Sequence, residues 1–248
     1  MSRRFALWLV MLLAVLGGFR PTPAAAQGFD YANSEFIILT GGPALREWED
    51  LRRPGDQHDR WWGNFVRASR IRIQQIRRAH GDAARITWLL YRPAYVSRQP
   101  EDARRSADQP CSMDKILSVR DTYRLNLVWF DSGDDVIHYL NTRPRRSIVD
   151  FEYFGHSNLA CFMFDYSNEI SGASAAFLHQ TQLGQISGSA FAKNAFCKSW
   201  GCHTGESMSR FWKKATGVPM EGALGKTDYS VIIDHVSLPR VIGRGWSN

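Results

Sequence analysis

Short, continuous apolar runs alternate along this chain with stretches in which apolar residues recur every three or four positions. Phe36 to Thr40 is the first run and stops at Gly41-Gly42-Pro43, a strand followed by a turn. Ile86 to Tyr91, Leu125 to Phe130 and Ile148 to Phe154 repeat the pattern, and Phe191 to Trp200 reads as a fifth buried strand. Between them the period changes. Trp62, Phe65, Val66, Ser69, Ile73 and Ile76 form one stripe of a helix spanning roughly Asp59 to Ala79, which Gly81 ends. Shorter helices are predicted over Asp114–Val119 and Asp134–Asn141. Met208, Phe211, Trp212 and Ala215 mark a last amphipathic helix, with Gly217 as its C′ residue. Ser97 to Gln109 is polar and charged and reads as a surface loop; Ala160 to Tyr166 reads as a strand. Strands alternating with helices imply βαβ units, hence an α/β three-layer sandwich with a mainly parallel central sheet. No internal repeat interrupts it.

The first residues stand apart from that pattern. Arg3 and Arg4, the apolar run Phe5–Leu16 and the small residues Ala24-Ala25-Ala26 have the order of a secretory signal peptide covering residues 1–26. Residues 27–248 then form a single exported domain, periplasmic or extracellular. Its removal takes away three arginines (Arg3, Arg4, Arg20) and no acid, so a formal charge of +7 becomes +4. No later segment is long and apolar enough to span a bilayer, so no stable membrane insertion is expected after cleavage. Arg60, Arg67, Arg70, Arg72, Arg77 and Arg78 surround the stripe of the first helix. They are read as the solvated face of a core-packed helix rather than a nucleic-acid surface.

Candidate chemistry sits where strands end. In α/β sheets functional groups gather at the carboxyl ends of the strands. The fourth run ends in Gly155-His156-Ser157-Asn158 and the fifth in Gly201-Cys202-His203-Thr204-Gly205. If these strands are neighbours, a thiol and an imidazole meet at one edge as nucleophile and general base. Backbone groups at Gly155, Ser157 and Gly201 could then hold an oxyanion. A loop leading into the helix near Glu206 would also favour thiolate through the helix dipole. His203 is a weaker base, because adjacent side chains diverge. All four cysteines (Cys111, Cys161, Cys197, Cys202) would enter an oxidising compartment, and full pairing allows three connectivities. If Gly155–Asn158 is a hairpin turn, Cys161 and Cys197 come level and pair, leaving Cys202 free. The Cys197-x4-Cys202-His203 spacing suits neither common zinc sites nor the redox motif, so no metal or cofactor is expected.

Phe151–His156, the Cys161–Asp165 run, the Cys202 loop and Val218–Thr227 together resemble the core of caspase-like cysteine peptidases, the grouping that includes gingipains, legumains and CHAT-domain proteases. The resemblance covers about Ile148 to Asp228. It implies His156 as base, Cys202 as nucleophile and a peptide or protein as substrate. One departure is Ser157, where that family usually has glycine after the histidine. Two other readings use the same residues. In a serine hydrolase Ser157 would be the nucleophile, with Asp228 or Asp234 and His235 as partners, although Leu159 stands where the nucleophile-elbow motif needs glycine. In a non-catalytic exported binding protein, Cys202 would be consumed in a disulfide.

Overall fold

Strands buried on both faces carry near-continuous apolar sequence, and Phe36–Thr40 and Ile86–Tyr91 do so in the middle of the central sheet. The strand expected to be buried over Phe191–Trp200 instead lies at the sheet edge and exposes Lys193, Asn194 and Phe196. In the computed structural model, which describes residues 30–43, 63–97, 112–165 and 176–247, the strands are β1 (Glu35–Thr40), β2 (Arg85–Tyr91), β3 (Asn126–Phe130) and β4 (Ile148–Phe154). Three short strands follow, β5 (His156–Ser157), β6 (Cys161–Asp165) and β7 (Ala176–His179), and then β8 (Phe191–Ser199). The main sheet has the order β3-β2-β1-β4-β8, parallel at every pairing. The chain steps outward from β1 to β2 and β3, then crosses back to place β4 on the other side of β1. The reversal between β1 and β4 is a topological switch point, where the connections diverge and leave a crevice at the strand ends.

Helices cover both faces, completing the three-layer sandwich. On one face α1 (Asn64–His80) and α2 (Met113–Tyr123) bury Phe65, Ile73, Ile76 and Ile116 against Ile38, Trp88 and Phe154. On the other, α3 (Gly133–Asn141) and α4 (Met208–Thr216) bury Val136, Leu140 and Trp212 against Leu39, Phe151 and Tyr153. Phe151 and Trp212 stack with ring centroids 4.6 Å apart. Each such fully buried side chain contributes about 1.5–3 kcal/mol. Local signals fix the helix ends: Ser132 and Asp135 form a capping box at α3, and Gly217, at φ 76°, ends α4 in the left-handed region. Residues 1–29 and 98–111 lie outside the described residues, as do the expected signal segment, most of the Ser97–Gln109 loop and Cys111. Among the described residues, no helix is long and apolar enough to cross a membrane.

The hairpin expected after β4 forms, but it leaves the main sheet. β5, β6 and β7 make a separate three-stranded antiparallel sheet, with His156 opposite Met163 and Cys161 opposite His179. Cys197 stays in the main sheet opposite Phe151. The Cys161–Cys197 disulfide is therefore not formed, and Cys161, Cys197 and Cys202 are all free thiols. The two cysteines are not level because β6 belongs to a different sheet from β8. A last antiparallel pair, β9 (Ala223–Asp228) and β10 (Arg240–Trp246), follows α4. The segment leading into β9 docks beside β8 through Ser199 N–H to the Glu221 carbonyl, 2.8 Å, and Glu221 N–H to the Cys197 carbonyl, 2.9 Å.

Candidate active site at the strand ends

β4 and β8 are neighbours, with Tyr153 opposite Ser199, and Trp200 N–H continues the pairing to the Tyr153 carbonyl at 2.8 Å. Just beyond, both strands turn through glycine. At Gly201 a Cβ would lie 2.1 Å from the Ser157 Oγ, and at Gly155 one would lie 2.3 Å from the Tyr153 hydroxyl. Glycine is required at both places because the Ser157 and Tyr153 side chains already fill the space that a Cβ would occupy. The Tyr153 hydroxyl, fully buried, donates to the carbonyls of His156 at 2.6 Å and Met163 at 3.1 Å. It thereby ties β5 to β6 from beneath.

The two strand ends are stitched together by Ser157, whose Oγ donates to the Cys202 carbonyl at 2.7 Å. That hydroxyl is buried and committed to the backbone. The partners a serine hydrolase would need are occupied elsewhere. Asp228 accepts from Ser230 N–H at 2.8 Å and pairs with Arg240 at 2.9 Å, which holds its carboxyl below the usual range although partial burial alone would raise it. Asp234 accepts from Val236 and Ser237, and His235 Nδ1 lies 3.4 Å from Arg70 Nη2.

Cys202 is half-buried on the turn after β8. Its Sγ lies 3.3 Å from the backbone nitrogen of Thr227, which donates to it, and 3.3 Å from the Thr227 Oγ1. The helix does not start where the sequence pattern suggests. A 3-10 turn (Thr204–Glu206) intervenes and α4 begins only at Met208, so the N–H aimed at sulfur belongs to β9 rather than to the first turn of a helix. His203 has φ 61°, gives its N–H to the Gly225 carbonyl at 2.7 Å and turns its ring to Glu206 at 2.8 Å.

The His156 imidazole stands edge-on to Phe65, centroids 4.9 Å apart, and Phe65 is in turn edge-on to Tyr229 at 5.1 Å. Tyr229 donates its hydroxyl to the Trp200 carbonyl at 3.2 Å. His156 and Cys202 thus issue from backbones in contact, on one lip of the sheet. Among the described residues, no direct hydrogen bond joins the imidazole to the sulfur. Of the three backbone positions expected to hold an oxyanion, Gly201 is engaged: its N–H donates to the Ser199 Oγ at 3.3 Å. Ser157 differs. Asn158 N–H bonds the Cys161 carbonyl at 3.1 Å, and antiparallel alternation then turns the Ser157 N–H away from β6. Among the described residues, no three His, Cys, Asp or Glu side chains converge as a metal site.

A second polar cluster lies beneath the site. Asp150 and Glu152 alternate with Phe151 and Tyr153 along β4 and point at α1, where Arg72 reaches both, at 3.0 Å for Asp150 and in closer contact for Glu152. Burial, reinforced by the Glu152 charge, pushes the Asp150 carboxyl well above its usual range against the pull of Arg72. The other Glu152 oxygen accepts from Trp200 Nε1 at 2.6 Å, one residue before Gly201. So Arg72 is not part of a solvated arginine face; it neutralises carboxylates within the sandwich. Arg77 likewise donates to the carbonyls of Ala84 at 2.6 Å and Tyr123 at 2.9 Å. A signal was available in the sequence: two acids at strand spacing inside an apolar run call for a buried cation. Thr227 carried no such signal.

No protein-family model, curated protein or solved structure matches this chain.

Proposed function

We propose that this chain is an exported cysteine peptidase-like hydrolase, with Cys202 as nucleophile and His156 as general base. One observation carries the reading: the ends of β4 and β8 are in backbone contact, with Ser157 bonded to Cys202 at 2.7 Å, so a half-buried thiol and an imidazole share one edge at the carboxyl ends of a parallel sheet. His156 takes the Sγ proton as the sulfur attacks a peptide carbonyl. The Sγ–C bond forms while the carbonyl π pair moves to oxygen, where the Ser157 N–H is the candidate donor. Collapse restores C=O and breaks C–N, and the amine leaves with the proton held by His156. Water then cleaves the thioester, giving its proton to His156 and releasing the acid, and the thiol is regenerated. Substrate binding is expected to bring the imidazole and the sulfur into hydrogen-bond reach, as contacts between catalytic groups commonly tighten in the Michaelis complex.

The test is a peptide-substrate panel with four proteins. Wild type should cleave. Cys202→Ala and His156→Ala should each lower turnover by about 10²–10⁴-fold while remaining folded. Ser157→Ala should retain most of it, losing one hydrogen bond that contributes about 1 kcal/mol to holding the Cys202 turn. Full activity of Cys202→Ala, or loss confined to Ser157→Ala, would end the cysteine reading.

A further inference from the structure

The Cys202 sulfur has a built environment that comes from a segment remote in sequence. β9 and the residue before it, Gly222, are pressed onto the Cys202 turn at three successive points. Gly205 and Gly222 meet backbone to backbone, where a Cβ on Gly222 would lie 2.5 Å from the Gly205 nitrogen. His203 N–H bonds the Gly225 carbonyl at 2.7 Å. Thr227 then presents both its N–H and its hydroxyl to Sγ, each at 3.3 Å. The first two contacts fix the register of the third, so the Thr227 N–H is aimed at sulfur by the packing of backbone, and the short, β-branched Thr227 side chain sets the hydroxyl beside it.

We infer that Thr227 is a positioning residue for the Cys202 thiolate, an assignment that rests on the peptidase reading above. A backbone N–H only donates, so it favours the sulfur that carries charge over the neutral thiol. The hydroxyl can accept from S–H and, after the proton leaves, rotate to donate to S⁻. Two donors on one side of the sulfur also confine its rotamer, leaving the opposite side for the substrate carbonyl. A strand, not the expected helix N-terminus, supplies the donor. The titratable groups on the surrounding elements include His156 on β5, Cys161 and Asp165 on β6, Tyr153 on β4, His203 with Glu206 in the same turn, the exposed Lys226 on β9, and Asp228 with Arg240 on the β9–β10 pair. The Asp228 charge is matched by Arg240 and the Glu206 charge faces His203, leaving Thr227 as the contact whose removal isolates the effect.

The experiment is the pH profile of Cys202 alkylation by iodoacetamide in the full-length folded protein, read peptide by peptide. Thr227→Val keeps the backbone N–H and the side-chain shape and removes the hydroxyl. It should move the Cys202 inflection up by about one unit, or about tenfold in rate at neutral pH, and Thr227→Ser should restore the wild-type profile. A wild-type profile in Thr227→Val would overturn the assignment, as would an equal shift in Thr227→Ser, which would trace the effect to the lost methyl. Peptide cleavage separates this from the dyad. Wild-type turnover with an unmoved Thr227→Val profile refutes Thr227 alone; a moved profile in a protein that cleaves no peptide refutes the peptidase reading and leaves Thr227 in place.

Discussion

Cys197 and Cys202 are five residues apart and occupy opposite chemical situations. Cys197 lies inside β8, opposite Phe151 and walled by Trp212, and burial, aided by the charges of Asp150 and Glu152, pushes its thiol far up. Cys202 lies past the strand end, half-exposed, with an N–H and a hydroxyl directed at its sulfur. Residue type is the same and chain distance is small. The difference is whether the strand has ended. Around Cys197 the backbone pairs with β4 on one side and with Glu221 on the other. At the end the ladder stops, and donors from a neighbouring strand become available to the thiol. Thiol reactivity is therefore expected to follow the boundary of the sheet.

The contrast is broken most directly by alkylation. At neutral pH in the folded protein, Cys202 should react at least about 100-fold faster than Cys197, since the thiolate is the reactive form, and Cys161, raised by partial burial, should fall between them. Peptide mapping against time gives the ranking. Comparable rates for Cys197 and Cys202 would mean that the sheet interior does not protect the one or that its end does not expose the other.

A second test concerns what holds the interior. Arg72→Met leaves Asp150 and Glu152 buried without their cation and should cost about 3–5 kcal/mol of unfolding free energy, measured by denaturant titration. Because Glu152 also accepts from Trp200, the same variant should loosen the turn carrying Cys202 and so narrow the reactivity gap between the two cysteines. A loss below about 1 kcal/mol, the level of an exposed ion pair, would show the cluster to be open to water.

The smallest effect is one of pH. Asp150 has its carboxyl raised in the folded state, mainly by burial. Protonated Asp150 therefore contributes stability that is full below the unfolded value of about 3.9 and is lost as pH rises through the folded value. Asp150→Asn lacks that loss. The stability of wild type relative to Asp150→Asn should decline steadily from about pH 4 upward, and a difference that stays constant across that range would mean the carboxyl is not raised.

The strands and helices were legible because each announces itself locally. An apolar run such as Ile86–Tyr91 has one stable solution, burial on both faces, and the stripe Met208, Phe211, Trp212, Ala215 has one face to bury. The glycines at the strand ends were legible as turns, and with them the candidates His156 and Cys202. What the tertiary structure alone decided are the pairings. It set β4 beside β8, made β6 part of a second sheet and so separated Cys161 from Cys197, delayed α4 to Met208, and drew Arg72 inward. It also brought Thr227 to a sulfur 25 residues earlier in the chain. Periodicity is a property of neighbours along the chain, and it encodes which face of each element is buried. Contacts between elements depend on how whole faces fit once they are buried together, and no local pattern carries that choice.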